Sequence, residues 1–420
     1  MANALCSLTQ LSSYLPDEIL LEILSYLPNG KEGQTDLASF CLVCRQWYDV
    51  AIRRLYKSPH LAGRRYELFV RTLCPSILPH IRKSELAGLV KVLDLSHIVH
   101  HGTKSTTARL LGRTKFSLEV FIAPQASFAI NCWASLSKCV NLHTLNLSLV
   151  SECISYQALN QTICKLPKLT AIHLPRCSSN YDTYGVLLSL QWPPRLRYLA
   201  LAGNADMLGK PESFPPSLSS LSISHAPLVE ADSIRQLLTN LADSLTNVEL
   251  RDLPRVEHGE LNGVLDWCTK LESLIISVDY IDVDFGNMPD WFNSSHWMSA
   301  KPLQKLRLVN SGHFDIDPRL AFQPVDLFTL IDERFLGRIR QVDIASSVGW
   351  HAKDDGGEIE AVATALIECD KENWIEGRWH YSDRFGFGKK EREKLGAYEA
   401  WRATERGTRT APRLRVYKDS

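Results

Sequence analysis

The chain has 420 residues, of which 45% are hydrophobic, 9% aromatic and 22% charged, which leaves enough apolar area for a large core and argues against wholesale disorder. Its 47 basic residues offset 47 acidic ones, so no net field draws the whole molecule to nucleic acid or to an anionic membrane, and partners must be recognised by local surface. No stretch approaches the roughly 18 consecutive apolar residues of a membrane span, and the opening MANALCSLTQLSS lacks the basic and apolar segments of a secretory signal, so a soluble protein of cytosol or nucleus is expected.

Residues 15–28, Leu-Pro-Asp-Glu-Ile-Leu-Leu-Glu-Ile-Leu-Ser-Tyr-Leu-Pro, predict a short helix. Pro16 stands in its first turn, Asp17 and Glu18 beside its positive end, and Pro28 stops it. Ile19, Leu20, Ile23, Leu24 and Leu27 form one wide apolar stripe, with Asp17, Glu18, Glu22 and Ser25 on the other side. A polar loop from Pro28 to Thr35 leads to a second helix capped by Asp36. In it Leu37, Phe40, Cys41, Cys44 and Tyr48 recur at helical spacing, and Leu42, Val43 and Trp47 leave it apolar nearly all round. Such stripes ordinarily belong to a core, and the first helical hairpin of the main domain is the plain alternative. A module of about 40 residues cannot bury two such helices by itself, so the excess apolar face is expected to be shared with another polypeptide.

Leu15-Pro16-Asp17-Glu18-Ile19-Leu20, then Ile23-Leu24, Leu27 and Leu42-Val43-Cys44-Arg45-Gln46-Trp47, resemble the F-box in order and spacing, over residues 13–57. The resemblance implies a three-helix hook that binds the S-phase kinase-associated adaptor and, through it, a cullin. By position it places Leu15, Pro16, Ile19, Leu20, Ile23, Leu42, Val43 and Trp47 at that contact. It also implies ubiquitin transfer to a protein held by the rest of the chain. The loop from Pro28 to Thr35 is longer than is usual in that family, which bears on the relative placement of the first two helices. Residues 58–89 read as a helical linker, with Tyr66, Phe69, Val70 and Leu73 on one face.

From residue 90 the unit L-x-x-L-x-L recurs ten times, with first positions at Val90, Leu118, Leu142, Leu169, Leu196, Leu218, Leu245, Leu271, Leu303 and Ile339. Most steps fall in the 20–29-residue window of leucine-rich repeats, in which each unit supplies a short strand and a return segment. Two units extend to the longer signature, with Cys177 closing one and Asn204 the other. Between strands, Leu159, Ile163 and Leu166 share a helical face, and so do Ile234, Leu237, Leu238 and Leu241 after a cap at Asp232. Units too short to fold alone predict an α/β solenoid over residues 90–356, a curved parallel sheet with helices on its convex side. The alternative is a doubly wound α/β domain, against which stand the fixed Leu period and the lack of a glycine-rich phosphate loop. The Leu118 unit, with Phe121 and Ala123 in place of Leu, suits a capping end. The last units are stretched by insertions, one running from Val278 to Ala300 with Asp279, Asp282, Asp284, Trp291, Phe292 and Trp297. Long insertions of this kind commonly carry function.

Residues 357–420 read as a helix from Ile359 to Cys369 and then a basic tail, with a solvated helix over Lys389 to Glu405 and a frayed end. From Arg378 on there are twelve Lys and Arg against six Asp and Glu, a local net charge of +6; docking to an acidic surface is the sharper reading of that tail.

Strand side chains alternate, so the residues between the leucines face the concave side. These are Asp94, Asn146, His173, Tyr198, Ser222, Glu249, Arg251, Lys305, Arg307 and Asp343, with Ala200, Ser220, Ser222 and Ser224 making a shallow middle. The expected target-binding residues are Tyr198, Ser222, Glu249, Arg251, Lys305 and Arg307, a shelf flanked by charge that suits a protein surface better than a buried small molecule.

Catalytic and metal chemistry finds little support. The eleven cysteines, several set singly in apolar segments (Cys153, Cys164, Cys268, Cys369), fit packed free thiols rather than a disulfide framework, and outside a secretory route the sequons at Asn146, Asn160 and Asn293 carry no sugar. Cys41 and Cys44 have half a zinc spacing but no second pair. His97, His100 and His101 lack an identifiable further ligand and supporting carboxylate. In Gly203 to Lys210 the glycines are too far apart for a phosphate loop and Pro211 replaces its Ser or Thr. Asp282-Val283-Asp284 lacks the glycine and terminal Glu of a calcium loop. No catalytic residue, cofactor or metal is expected, nor nucleic acid or membrane as partner. The chain reads as the substrate-recognition subunit of an SCF-type cullin-RING ubiquitin ligase, with a scaffold that binds the same adaptor outside a ligase as the alternative, and an enzyme with an unrecognised site as the third possibility.

Overall fold

The computed structural model describes residues 15–28, 30–75, 84–98, 104–128, 130–152, 154–176, 178–179, 191–203, 214–289, 292, 297–313, 319–350, 357–378 and 387–418. The chain divides into two compact units, Met1–Thr170 and Ala171–Ser420.

The first unit begins with four helices, α1 (Asp17–Ser25), α2 (Lys31–Phe40), α3 (Arg45–Lys57) and α4 (Arg64–Leu73). The single long second helix expected after Asp36 is in fact two. Gly30, at φ +91°, turns the chain into α2 five residues earlier, which shortens the loop expected over Pro28 to Thr35. Gly33 then packs so close that a Cβ there would lie 1.8 Å from the Pro28 carbonyl oxygen. After Phe40 the chain makes a tight turn, with Leu42 N–H donating to Ser39 O and Val43 N–H to Phe40 O, and the extended Cys44 starts α3 in a new direction. A run apolar all round is thus resolved into segments facing different ways, and no single helix has to hide it. Leu24, Leu37 and Ala51 form the small core between these helices, with Leu27, Phe40, Cys41, Val50 and Leu55 packed on it. Arg54 donates to Leu27 O at 2.9 Å, and Gln34 reaches Leu55 O at 3.1 Å. In α4, Tyr66, Phe69 and Leu73 are buried.

Three short parallel strands follow in order, β1 (Val92–Asp94), β2 (Val120–Ile122) and β3 (Thr144–Asn146), with return helices α5 (Lys104–Thr114), α6 (Ile130–Leu136) and α7 (Tyr156–Ile163), each of the last two packed on its predecessor. The second unit continues the pattern with eight parallel strands, β4 (Ala171–His173), β5 (Tyr198–Ala202), β6 (Ser220–Ser224), β7 (Asn247–Arg251), β8 (Ser273–Ser277), β9 (Lys305–Val309), β10 (Gln341–Ala345) and β11 (Arg413–Tyr417). Each of the first ten strands starts two residues after the first position of a sequence unit, and every one of those first positions is buried. The repeat is also written in the backbone. The last residue before a strand and the strand's first residue both donate to one carbonyl of the preceding unit, as Thr246 and Asn247 do to Ser219 O and Glu272 and Ser273 to Thr246 O. No helix among the described residues is long and apolar enough to cross a membrane.

The returns of the second unit include α8 (Ala231–Asn240), α9 (Val264–Trp267), α10 (Pro324–Asp332) and α11 (Glu358–Ile375). In α8 Ile234, Leu237 and Leu238 are buried as expected, but the cap position is Glu230, with no side-chain bond, and Asp232 lies inside the first turn. Helix α11 outruns the expected end at Cys369 because its buried stripe, Val362, Ala365, Leu366, Cys369, Asn373 and Trp374, continues at helical spacing. The basic tail departs most from expectation. Instead of one solvated helix it makes α12 (Lys389–Arg392), α13 (Ala397–Arg402) and α14 (Glu405–Arg409), broken by Gly396 at φ +80°, and then β11, which pairs in parallel with β10. Tyr398 and Trp401 pack on Trp374 as a separate core, and Arg402 pairs with buried Asp370, which also accepts from Tyr398 Oη at 2.6 Å and Arg340 at 3.2 Å. Aromatic burial and one buried carboxylate order a segment whose charge alone reads as loose. Cys153, Cys177, Asn204, His100, His101, Trp291 and Asn293 lie outside the described residues.

Candidate functional site

Two surfaces stand out, one in each unit. In the first, α1 presents its apolar residues on two sides. Leu20 and Leu24 are buried, whereas Ile19, Leu21, Ile23 and Tyr26 are exposed. The turn after α2 carries Leu42, 86% exposed, and Val43, 60% exposed. Gln46 ties that turn to the start of α1, its amide donating to Leu15 O at 2.7 Å and to Asp17 at 2.8 Å. Trp47 is half-buried and stacks on Phe40 with ring centroids 4.7 Å apart. Of the eight residues expected at an adaptor contact, Pro16, Ile19, Ile23, Leu42 and Val43 are therefore exposed, and Leu15 and Trp47 are half-buried. Leu20, 1% exposed, faces the interior and supports the others from beneath. Leu21 and Tyr26, at 56% and 79% exposure, add apolar surface that the stripe reading passed over, because they fall off its five-residue pattern.

The second surface is the open face of the second unit's sheet. Register aligns His173, Ala200, Ser222, Glu249, Ile275, Arg307, Asp343 and Arg415 in one row across eight strands. His173 packs its ring 4.9 Å from Tyr198; burial lowers its pKa, with Glu249 opposing in part. Ser222 is buried and donates to Glu249 at 2.9 Å, and Glu249 also pairs with Arg251 at 2.9 Å. The expected small shelf is thus partly closed by its own polar bonds. Lys305 is exposed and Arg307 half-exposed. Asp343 is buried, taking Arg415 Nε at 3.0 Å and Gln341 Nε2 at 2.7 Å. Asp94 and Asn146, expected on the equivalent face in the first unit, turn an oxygen back to the backbone N–H of Ser96 and Ser148, each at 2.9 Å.

A cleft of about 480 Å³ opens at the carboxyl ends of these strands, lined by Glu249, Arg251, Arg307, Asn310, Ser311 and Tyr417 among others. Asp252, also in its lining, bridges His225 and His313, the latter at 2.7 Å. Burial pushes the Asp252 carboxyl up, and the hydrogen bonds from the two imidazoles together outweigh it, leaving the pKa below the ordinary value. Asp252 also donates its backbone N–H to Ser311 Oγ at 2.9 Å. Asp252 and Tyr417 were not singled out from the sequence. The first follows its strand by one residue at a left-handed φ of +54°; the second lies in a strand that the charge of the tail conceals. In the Val278–Ala300 insertion, Asp279 is buried and accepts from Ser311 N–H at 3.1 Å, while Asp282 and Asn262 bond one another. Those two carboxylates are thereby occupied in holding loops.

The cysteines that pair in sequence do not pair in space as ligands. Cys41 is half-buried in the helical hairpin, Cys44 is exposed, and both are free thiols. Burial pushes the thiols of Cys139 and Cys268 up to about 12. Among the described residues no group of three or more His, Cys, Asp or Glu is arranged to hold a metal ion.

Residues 12–62 match the F-box-like family. The chain is 31% identical over 376 residues to F-box protein YDR306C of Saccharomyces cerevisiae, covering 85% of this chain and 75% of that protein. It is 25% identical over 365 residues to protein pof5 of Schizosaccharomyces pombe, covering 86% and 98%. Among solved structures, a chain from the crystal structure of the yeast Rad7 and Elc1 complex aligns over 82% of this chain and 85% of its own, at a TM-score of 0.43 and 12% identity, a loose likeness that adds nothing to the account of either surface.

Proposed function

Given that this chain belongs to the F-box proteins, we propose that it is the non-catalytic, substrate-receiving subunit of a cullin-based ubiquitin ligase. Its first three helices dock the S-phase kinase-associated adaptor, and the open face of its repeat sheet holds the protein to be modified. The observation that carries this reading is the strip of Ile19, Ile23, Leu42 and Val43, exposed on a hairpin whose own core of Leu24, Leu37 and Ala51 is already closed. Apolar side chains grouped on a rigid, ordered surface favour burial by a partner, at about 25 cal/mol per Å² covered. Leu20 beneath and Trp47 beside them fix the strip before the partner arrives, so little ordering entropy is lost on docking.

In this role the chain does no acid–base chemistry. It raises the rate of ubiquitin transfer by holding a target lysine near the charged end of the ligase, converting a bimolecular encounter into an effectively intramolecular one. Affinity purification followed by mass spectrometry, comparing the wild type with an Ile19→Asp, Val43→Asp variant, tests the assignment. Adaptor and cullin should vanish from the variant while target proteins remain. Adaptor without cullin in the wild-type sample would instead favour a scaffold that works outside a ligase, and neither in either sample would remove the proposal.

A further inference from the structure

The open face changes character along the sheet. Across β5 to β8 its outward residues are small, as Ala200 and Ser220, uncharged, as Tyr198 and Ile275, or internally paired, as in the Ser222–Glu249–Arg251 chain. Across β9 to β11 they are Lys305, Arg307, Arg413 and Arg415 against the single carboxylate Asp343. That carboxylate is already satisfied, one oxygen by Arg415 at 3.0 Å and the other by Gln341 at 2.7 Å. Arg307 reaches it only at 3.6 Å, too far for a hydrogen bond. The Nε of Arg307 is moreover sealed from solvent with no acceptor, a state that costs free energy and is relieved by an incoming oxygen that draws the guanidinium round. Arg307 lies 5.6 Å from the Tyr417 ring and Arg415 lies 5.9 Å from it, so the two guanidinium groups are held by one aromatic side chain at the mouth of the cleft.

The geometry points to an acidic segment of the target as the occupant of this cleft, one of its carboxylates taking the place at Arg307 that Asp343 leaves open, with Lys305 and the β11 arginines steering the approach. A carboxylate fits better than a doubly charged phosphate: inside the cleft Glu249 pairs with Arg251 and Asp252 with two imidazoles, so the one charge still open to a closer partner is Arg307, which Asp343 neutralises only across 3.6 Å, and a planar carboxylate matches its fork. The bland reading, that these cations merely blunt an edge strand against aggregation, accounts for Arg413 and Arg415 on β11 but not for Arg307, which lies on an interior strand.

This inference rests on the reading that the open face receives the target. It is tested on the full chain alone, without adaptor, so failure here leaves adaptor binding to be judged separately. Fluorescence anisotropy with a labelled nine-residue peptide alternating Glu and Ser, the same peptide with Gln for Glu, a Gln peptide carrying one phosphoserine, and a single-stranded oligonucleotide of equal charge gives the comparison. The Glu peptide should bind, the Gln peptide should not, and Arg307→Gln should weaken binding at least ten-fold with an unchanged melting temperature. Because Arg307 is half-buried, Lys305→Gln with Arg413→Gln, both exposed, is the second variant and should weaken it about five-fold. Equal binding by wild type and both variants, no binding of the Glu peptide, or tighter binding of the phosphopeptide or the oligonucleotide than of the Glu peptide would overturn the assignment.

Discussion

Truncating Leu42 and Val43 together to alanine separates partner binding from folding. Full burial of a leucine or valine side chain is worth about 1.5–3 kcal/mol. Scaled by the 86% and 60% of each that remain exposed, covering the pair contributes about 2–4 kcal/mol, of which alanine keeps the share of its β-carbon. The variant should thus bind purified adaptor about 2–3 kcal/mol more weakly, roughly a 30- to 150-fold rise in Kd. Its own stability should move by no more than about 0.5 kcal/mol, because neither side chain is in the hairpin core. Leu37→Ala is the counterpart, 5% exposed and part of that core, and should cost about 2–5 kcal/mol in denaturant unfolding. Isothermal titration against the adaptor and urea melts of both variants give the two numbers. If the Leu42, Val43 variant binds within about two-fold of the wild type, or loses as much stability as Leu37→Ala, the separation of an inner and an outer apolar face is wrong.

Other expectations follow from buried groups. His173 has a lowered folded pKa because burial disfavours its charged form. The unfolded chain therefore takes up the proton first as pH falls below about 6.5, so this group's contribution is lost between that pH and the lower folded pKa. His173→Phe, which keeps a ring beside Tyr198, should flatten the slope of stability against pH between about 7 and 5. Asp252, held below the ordinary carboxylate range by its two imidazoles, acts in a more acidic window. Its stabilisation is complete above the unfolded pKa and lost as pH falls through the folded one, so Asp252→Asn should be less stable at neutral pH and approach the wild type in acid melts. Asp370→Asn leaves Arg340 and Arg402 facing a buried neutral amide and should cost about 3–5 kcal/mol in chemical denaturation. Alkylation at neutral pH, followed by peptide mass mapping, should label exposed Cys44 and Cys164 and leave Cys139 and Cys268 untouched while the chain is folded.

The repeat strands were legible because Leu placement reports strand burial directly. Val90 and Ile339 stand for Leu at opposite ends of the array, yet each is fully buried two residues before its strand. Helix boundaries were less so. The break at Cys41–Cys44 depends on a turn that no glycine or proline marks, and helical periodicity runs straight through it. The strand Arg413–Tyr417 follows a related spacing, Ala411, Leu414, Val416, with Ala where the other units carry Leu, Val or Ile, inside a segment whose charge suggests solvent. Its order comes from Trp374, Tyr398 and Trp401, which meet only in three dimensions. For the same reason the sequence could name Arg307 but not its unmet Nε, since which guanidinium reaches Asp343 is decided by register and by Gln341 and Arg415.

The most direct test mixes the purified chain with the adaptor and a cullin and follows all three by gel filtration. One peak containing the three proteins, abolished by Val43→Asp, is the predicted result. A chain that elutes by itself in the presence of excess adaptor would contradict the account.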